Sequence, residues 1–383
     1  MLTVIVFILI LSVLVMLHEL GHFLMAKRAG IGVEEFGFGL PPRIWGKKIR
    51  GTIYSINWLP FGGFVRLVGE DPDDKQSFSS NKQSFSSNKK IEPKNSFAVK
   101  TLPQRILVVI AGVFMNFMLA IVIFYVVVAA LGFKVSLPLL VEHKFKFVDQ
   151  SKQVLVEGVN PGSAADGAGI KPGDSIIYAS SQKIDSIDSL QKVIRANQDK
   201  QIELVLENPA NNSKRTVFVV PQFSEELNVP AIGVGLGELL VLNYDTPMQK
   251  LLSGFIHSYN TVDYSIKIFG ELIGYSMKSR DFTPVREGVS GPVGIAQITS
   301  QAVAMGPISV LQLAGLLSLN LAVVNVLPIP ALDGGRFFFL LIEAVTRRKI
   351  YPKIEKWAHT IGFALLLGLI VLITFNDIAK LLR

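Results

Sequence analysis

The sequence contains no cysteine, which excludes disulfides and thiolate metal ligands. It is also short of charge: 18% of its residues are Asp, Glu, Lys or Arg, against about 25% in a typical soluble protein. No basic segment precedes the first apolar run, which argues against a cleaved signal peptide. Lys27 and Arg28 follow that run instead, as they would at the cytoplasmic end of an uncleaved span. Any metal site must therefore be built from histidine and carboxylate, in a chain where half the residues are hydrophobic.

The hydrophobic residues are gathered into runs. Leu2 to Leu17, Ile106 to Phe133 and Gly288 to Leu332 carry no charge, and a fourth apolar stretch covers Ile361 to Phe375. A bilayer core of about 30 Å takes roughly 20 apolar residues per helix. The first run reaches that length only if His18 and Glu19 lie inside the membrane. Charge between the runs is uneven. Residues 27–105 hold 14 Lys/Arg against 7 Asp/Glu, residues 134–309 hold 16 against 18, and residues 347–356 hold 5 against 1. By the positive-inside rule the basic loops are cytoplasmic, which puts both termini and the middle of the chain on the outer side. The net charge of +8 is thus explained by membrane topology, and nucleic acid is not an expected partner.

The expected fold is a polytopic α-helical membrane protein with four transmembrane helices, a membrane-associated β-hairpin or sheet, and an extracytoplasmic α+β domain. Residues 1–28 form the first span, and residues 29–70 a membrane-associated β region of short strands cut by glycine and proline turns. Residues 71–104 form a polar cytoplasmic loop, in which Gln76 to Lys82 repeats at once as Gln83 to Lys89. One tandem copy makes no repeat fold. Residues 105–133 form the second span, 134–235 the α+β domain with its flanks, and 236–305 amphipathic helices on the outer membrane surface. Residues 306–346 hold the third span, and 347–383 a cytoplasmic link and the fourth. Within the α+β domain, strands are expected near Val154, Ile176, Leu204 and Val217, with an amphipathic helix over Ser186 to Ala196. His257 and His359 lack ligand-spaced company and read as surface or interfacial residues.

His18-Glu19-Leu20-Gly21-His22 is an H-E-x-x-H pattern. Residues four apart share a helix face, so both imidazoles can reach one metal ion. Glu19 projects beside them, placed to take a proton from a metal-bound water. Sixteen uncharged residues precede His18 after Met1, putting it about 24 Å into a span. Ionisable groups at that depth are costly, at least about 2.5 kcal/mol for a carboxylate. A metal and a water-filled cavity account for them. Tetrahedral zinc then needs a third protein ligand, and the other acid within an apolar span is Asp333, after Asn325-Val326-Leu327-Pro328-Ile329-Pro330-Ala331-Leu332. Prolines and the Gly334-Gly335 pair break the helix there, which is tolerated where freed backbone lines a cavity. Asp333 reads as the third ligand, and Asn325 as a hydrogen-bond donor facing the same cavity.

Taken in order, HELGH, Phe36-Gly37-Phe38-Gly39, Gly62-Gly63-Phe64-Val65, Gly112-Val113-Phe114-Met115-Asn116, Ser290-Gly291-Pro292-Val293-Gly294-Ile295 and the Asn325-to-Asp333-Gly-Gly motif resemble the site-2 protease family, of the bacterial RseP type. The glycine-proline turns at Pro161-Gly162 and Gly169 to Asp174 resemble those of bacterial PDZ domains. The best-studied RseP type carries two PDZ domains, and this chain has room for one. The resemblance implies an intramembrane zinc endopeptidase of a bacterial inner membrane, with Zn2+ on His18, His22 and Asp333 near the cytoplasmic face and Glu19 as general base. It implies that Asn325 helps hold substrate or oxyanion. It also implies single-pass membrane substrates such as trimmed anti-sigma factors or signal-peptide remnants. The PDZ domain would bind peptide C-termini or extended peptides, or filter substrates by size. The Gly62, Gly63, Phe64, Val65 strand offers an edge to unwound substrate. Two other readings are a PDZ scaffold without catalysis and a metal-dependent transporter.

Overall fold

A computed structural model describes residues 2–70, 94–208, 213–225 and 228–381. The tandem copy at 76–89, with most of the expected polar loop, lies outside the described residues. The chain divides into a helical unit, Met1–Val127 with Phe269–Arg383, and an α+β unit, Val128–Ile268.

The helical unit opens with α1 (Leu2–Arg28), followed by β1 (Val33–Ile49), β2 (Thr52–Leu67) and most of α2 (Leu102–Ala130). Along α1, Ile10, Leu14, His18, His22 and Ala26 are buried. They recur every fourth residue, so one stripe faces the interior while the remaining apolar residues face out. Strands β1 and β2 are long and bent, and each pairs twice. Glu35 to Phe38 lie opposite Arg66 to Gly63 on one side and opposite Ile53 to Ile56 on the other. The distal half of β1, Arg43 to Ile49, pairs back on Asn57 to Thr52. The segment Gly63–Leu67 therefore has a strand on one side only and forms an outer edge. The far end of the hairpin exposes Ile44, Trp45, Trp58 and Leu59.

The α+β unit contains β3 (Lys134–Pro138), β4 (Asp149–Val159), α3 (Ala164–Gly167), β5 (Ser175–Ala179), β6 (Gln182–Lys183), α4 (Ile187–Ala196), β7 (Ile202–Asn208), β8 (Ser213–Val219), β9 (Gln222–Ser224), β10 (Val229–Ala231), β11 (Val234–Asn243), α5 (Pro247–Leu251) and the first part of α6 (Ser253–Ser279). Its main sheet runs β3-β11-β4-β5-β7-β8, with β6 on β5. Ser186 caps α4 through a capping box with Ser189, and Leu190, Val193 and Ile194 from α4 pack on Val154, Val156, Ile176, Leu204 and Leu206. The expected boundary between 235 and 236 cuts through β11, which pairs with both β3 and β4. Buried Leu240 and Leu242 alternate with their neighbours as a strand requires, so the segment belongs to the sheet and not to the amphipathic helices after it. His257 is likewise not at the surface. It is buried on α6, with Nδ1 3.1 Å from the Tyr244 hydroxyl, and burial pushes its pKa down to about 4.

After α6 come α7 (Thr283–Gly288), α8 (Pro292–Met305), α9 (Pro307–Val326), α10 (Asp333–Thr346) and α11 (Pro352–Leu381). The uncharged run from Gly288 thus holds two helices, split at Gly306, whose φ of +108° suits glycine alone. The expected third span over 306–346 is also two helices. It unwinds after Val326, where Pro328 and Pro330 lack backbone donors and disfavour helix for the residue before each. Helix resumes at Asp333. The second span begins at Leu102, three residues before its expected start. Among the described residues, α1, α2, α9 and α11 are long and apolar enough to cross a membrane. Buried Asp377 of α11 accepts from the backbone N of Gly291 and Gly294, at 2.9 and 2.8 Å, and so caps α8 from across the unit.

Candidate active site

His18 and His22 project from the buried stripe of α1, and Asp333 from the first turn of α10. Their donor atoms form a small triangle. His18 Nε2 lies 2.9 Å from Asp333 Oδ2, His22 Nε2 lies 3.3 Å from the same oxygen, and the two Nε2 atoms are 3.1 Å apart. Tetrahedral zinc, with bonds of about 2.0–2.1 Å, holds its ligands about 3.3 Å from one another. Asp333 Oδ2 is buried and makes no hydrogen bond, so it is an anionic oxygen in want of a cation. These residues fit a zinc ion. Among the described residues they are the one group of three or more such donors brought together.

The tautomer of one imidazole follows from its neighbour. His22 Nδ1 lies 2.8 Å from the carbonyl oxygen of Val108 on α2. A carbonyl only accepts, so Nδ1 carries the proton and the Nε2 lone pair faces the triangle. Helix α2 comes this close because of glycine. A Cβ on Gly21 would collide with the carbonyl of Ala111, and one on Gly112 would collide with the rings of His22 and His18. Buried Asn116, one further turn along α2, puts its amide nitrogen 3.3 Å from His18 Nδ1, while its backbone carbonyl accepts from the Ser318 hydroxyl of α9 at 2.8 Å.

Asp333 is placed by the unwound segment before it. Gly334 and Gly335 let the first turn of α10 lie against the carbonyls of Leu327 and Ile329, which no side chain would permit. Ala331 takes a left-handed φ of +81°, and its N–H donates to His359 Nδ1 of α11 at 2.9 Å. His359 is therefore no ordinary surface histidine; its position 28 residues away in sequence concealed the contact. Arg336, one turn after Asp333, pairs with Glu70 at the end of β2.

Glu19, His22, Val65, Asp333, Arg336 and His359 all border one cavity of about 660 Å3. Glu19 Oε2 accepts from the backbone N of Val65 at 3.1 Å, and Glu70 Oε2 accepts from the backbone N of Leu67 at 3.3 Å. Residues two apart on a strand point their N–H groups the same way, so both donors lie on the outer edge of β2. Phe64 also lines the cavity, whereas Gly62 and Gly63 do not. Gly62 packs beside Val15, and Gly63 leaves room for Met16 of α1 and the carbonyl of Gly37. Asn325 is half-buried near the end of α9 and is not among the residues bordering the cavity. The amide that stands beside the histidines is that of Asn116. A backbone carbonyl such as that of Val108 has no sequence signal at all.

Residues 6–369 match the description Peptidase family M50. The chain belongs to this family. It is 31% identical to the regulator of sigma-W protease RasP of Bacillus subtilis, with 99% of each chain covered. It is 31% identical to the zinc metalloprotease RasP of Bacillus licheniformis, again over 99% of each. Against the zinc metalloprotease RasP of Geobacillus kaustophilus the identity is 29%, over 99% of this chain and 98% of the relative. A solved PDZ domain of an SdrC-like protein from Listeria monocytogenes covers 25% of the chain at 14% identity and a TM-score of 0.20. This M50 peptidase is a zinc-dependent intramembrane protease of the site-2 type and a multi-pass membrane protein. The scaffold and transporter readings fall with that membership.

Proposed function

We propose that His18, His22 and Asp333 hold the zinc and that Glu19 is the general base for hydrolysis of a peptide bond in or beside a transmembrane segment. One observation carries this assignment: three donor atoms lie 2.9 to 3.3 Å apart, and two of the residues that supply them, His22 and Asp333, border the same cavity as Glu19. Zinc held there would supply a water of lowered pKa and polarise the scissile carbonyl. Glu19 takes the proton from the attacking water and returns it to the leaving amine. Val65 N–H holds the Glu19 carboxylate at the cavity wall until it is needed. An unwound substrate has free carbonyls and amides, and the Gly63–Leu67 edge offers it a strand to pair with. Phe64 and Val65 meet that substrate directly, while Gly62 and Gly63 shape the turn that brings the edge to α1.

The substrates are single-pass membrane proteins, with anti-sigma factors trimmed on the outer side and signal-peptide remnants as the leading classes. The sigma-W name of the Bacillus subtilis relative supports the first of these. The basic segments 27–105 and 347–356 support a cytoplasmic side for the loops they contain and the outer side for residues 134–305. The α+β unit acts there as a PDZ domain, taking extended peptides or newly made C-termini.

The test is cleavage of a tagged single-pass substrate, co-expressed with either the wild type or Glu19→Gln. The variant should retain one zinc per chain and lose about 10²–10⁴-fold in cleavage rate. A variant that still cleaves at the wild-type rate would remove Glu19 from the mechanism.

A further inference from the structure

Beside the proposed zinc ligands stands a buried group that the zinc reading does not use. Asn116 is wholly buried, yet its Oδ1 makes no hydrogen bond. Its amide lies on α2 eight residues from Val108, with Gly112 midway between them. Steps of four keep all three on one face of a helix, and that face meets the two histidines of α1. Val108 accepts from His22 Nδ1 at one end, Gly112 leaves room for both rings, and Asn116 stands 3.3 Å from His18 Nδ1 at the other. The two ligands four apart on α1 thus face two partners eight apart on α2.

The chemistry of a ligating imidazole selects the amide's orientation. His18 can offer Nε2 to a metal only with its lone pair free, which puts the ring proton on Nδ1. That proton needs an acceptor, and the Asn116 amide is the side-chain group in reach. Oxygen and nitrogen of an amide occupy nearly the same shape, so which of them faces His18 is decided by whether Nδ1 donates or accepts, and a ligating His18 donates there. We infer that Asn116 is a positioning residue for the metal centre: its Oδ1 accepts from His18 Nδ1–H, fixing the tautomer and rotation of that ligand as the Val108 carbonyl does for His22. This rests on the assignment of His18 as a zinc ligand.

The experiment measures zinc affinity of the full chain in detergent, by competition with a chromophoric chelator, and the visible spectrum of the cobalt-substituted protein. Asn116→Leu keeps the volume and removes the acceptor. It should weaken zinc about 10–100-fold, the range for loss of an outer partner of a metal ligand, and alter the cobalt bands. Asn116→Asp, measured at a pH where the carboxyl is ionised, can only accept, so it should hold zinc within about threefold of wild type, whereas an amide that donated to Nδ1 could not be replaced this way. A merely structural role would move thermal stability and leave both metal readouts unchanged. Wild-type affinity and spectrum in Asn116→Leu, or an Asn116→Asp as weak as Asn116→Leu, would overturn the inference. Should Asn116→Leu not fold, Asn116→Ser is too short to reach His18 and carries the same expectation. His18→Ala separates the two readings. If it binds zinc as tightly as wild type, the ligand assignment itself fails; if it does not, an unaffected Asn116→Leu condemns the positioning role alone.

Discussion

The two units of this protein solve the burial problem in opposite directions. In the α+β unit the centre is apolar, with Ile176, Leu190 and Leu204 fully buried together in one cluster. In the helical unit many long apolar side chains face out, with Leu365 69% and Leu372 65% exposed, while His18, His22, Asn116, Ser318 and Asp377 lie inside beside apolar residues such as Leu14 and Phe124. Water drives the first arrangement, since apolar surface is removed from it at about 25 cal/mol per Å2. Lipid drives the second, because tails as apolar as leucine give no reason to hide leucine. In such a unit packing and hydrogen bonds hold the helices together, and a polar cavity for hydrolysis needs no hole cut through an apolar core.

The sharpest way to break this comparison is to make one change in both units. Leu204→Ala should cost about 2–5 kcal/mol, the usual range for emptying a well-packed site. Leu365→Ala on α11 should stay within about 0.5 kcal/mol. Unfolding of the full chain in detergent measures both, and equal costs would mean that the helical unit also has an apolar interior at that position. A smaller effect is expected where the helical unit relies on polar contacts. Asp377→Ala leaves the backbone donors of Gly291 and Gly294 without their acceptor, which should cost about 1–3 kcal/mol. A negligible change there would show that the tie between α11 and α8 is apolar after all.

The smallest effect concerns the one buried histidine of the α+β unit. The pKa of His257 in the folded chain, about 4, lies below the roughly 6.5 of an unfolded histidine. The unfolded chain therefore takes up a proton that the folded one refuses. Stability from the neutral ring is whole above about pH 6.5 and is lost as pH falls from there towards about 4. At pH 5.5 the loss should be about 1 kcal/mol. His257→Phe should flatten that slope, as measured by thermal unfolding between pH 7 and 5.

The same contrast decides what could be read from the sequence. The apolar runs marked α1, α2, α9 and α11, because a span in lipid must be apolar along its whole length. They did not mark where helices end. Nothing in the run from Gly288 to Leu332 distinguishes α8 from α9 except Gly306, which is one glycine among several. The H-E-x-x-H spacing carried the two histidines, and the buried carboxylate with its prolines and double glycine carried Asp333. Sequence spacing could not show Val108, Asn116 or His359, because each reaches the site from another helix through a backbone group, an amide or a loop contact. It drew attention to Asn325 because that residue stands in the same broken helix as Asp333. Most of strand β11 falls in the segment expected to be amphipathic helix, because its short alternation reads as a strand only once β3 and β4 lie on either side of it.

The outer edge of β2 has a further consequence, for life in a crowded bilayer. An open strand edge recruits any extended chain in reach, including the same edge of a second copy. Here the outward N–H groups of Val65 and Leu67 end on the carboxylates of Glu19 and Glu70. A neighbour must displace two side-chain acceptors, Glu19 and the Arg336-paired Glu70, before it can add a strand there. With its donors already occupied, this edge is a poorer template for a second copy than a bare strand edge would be.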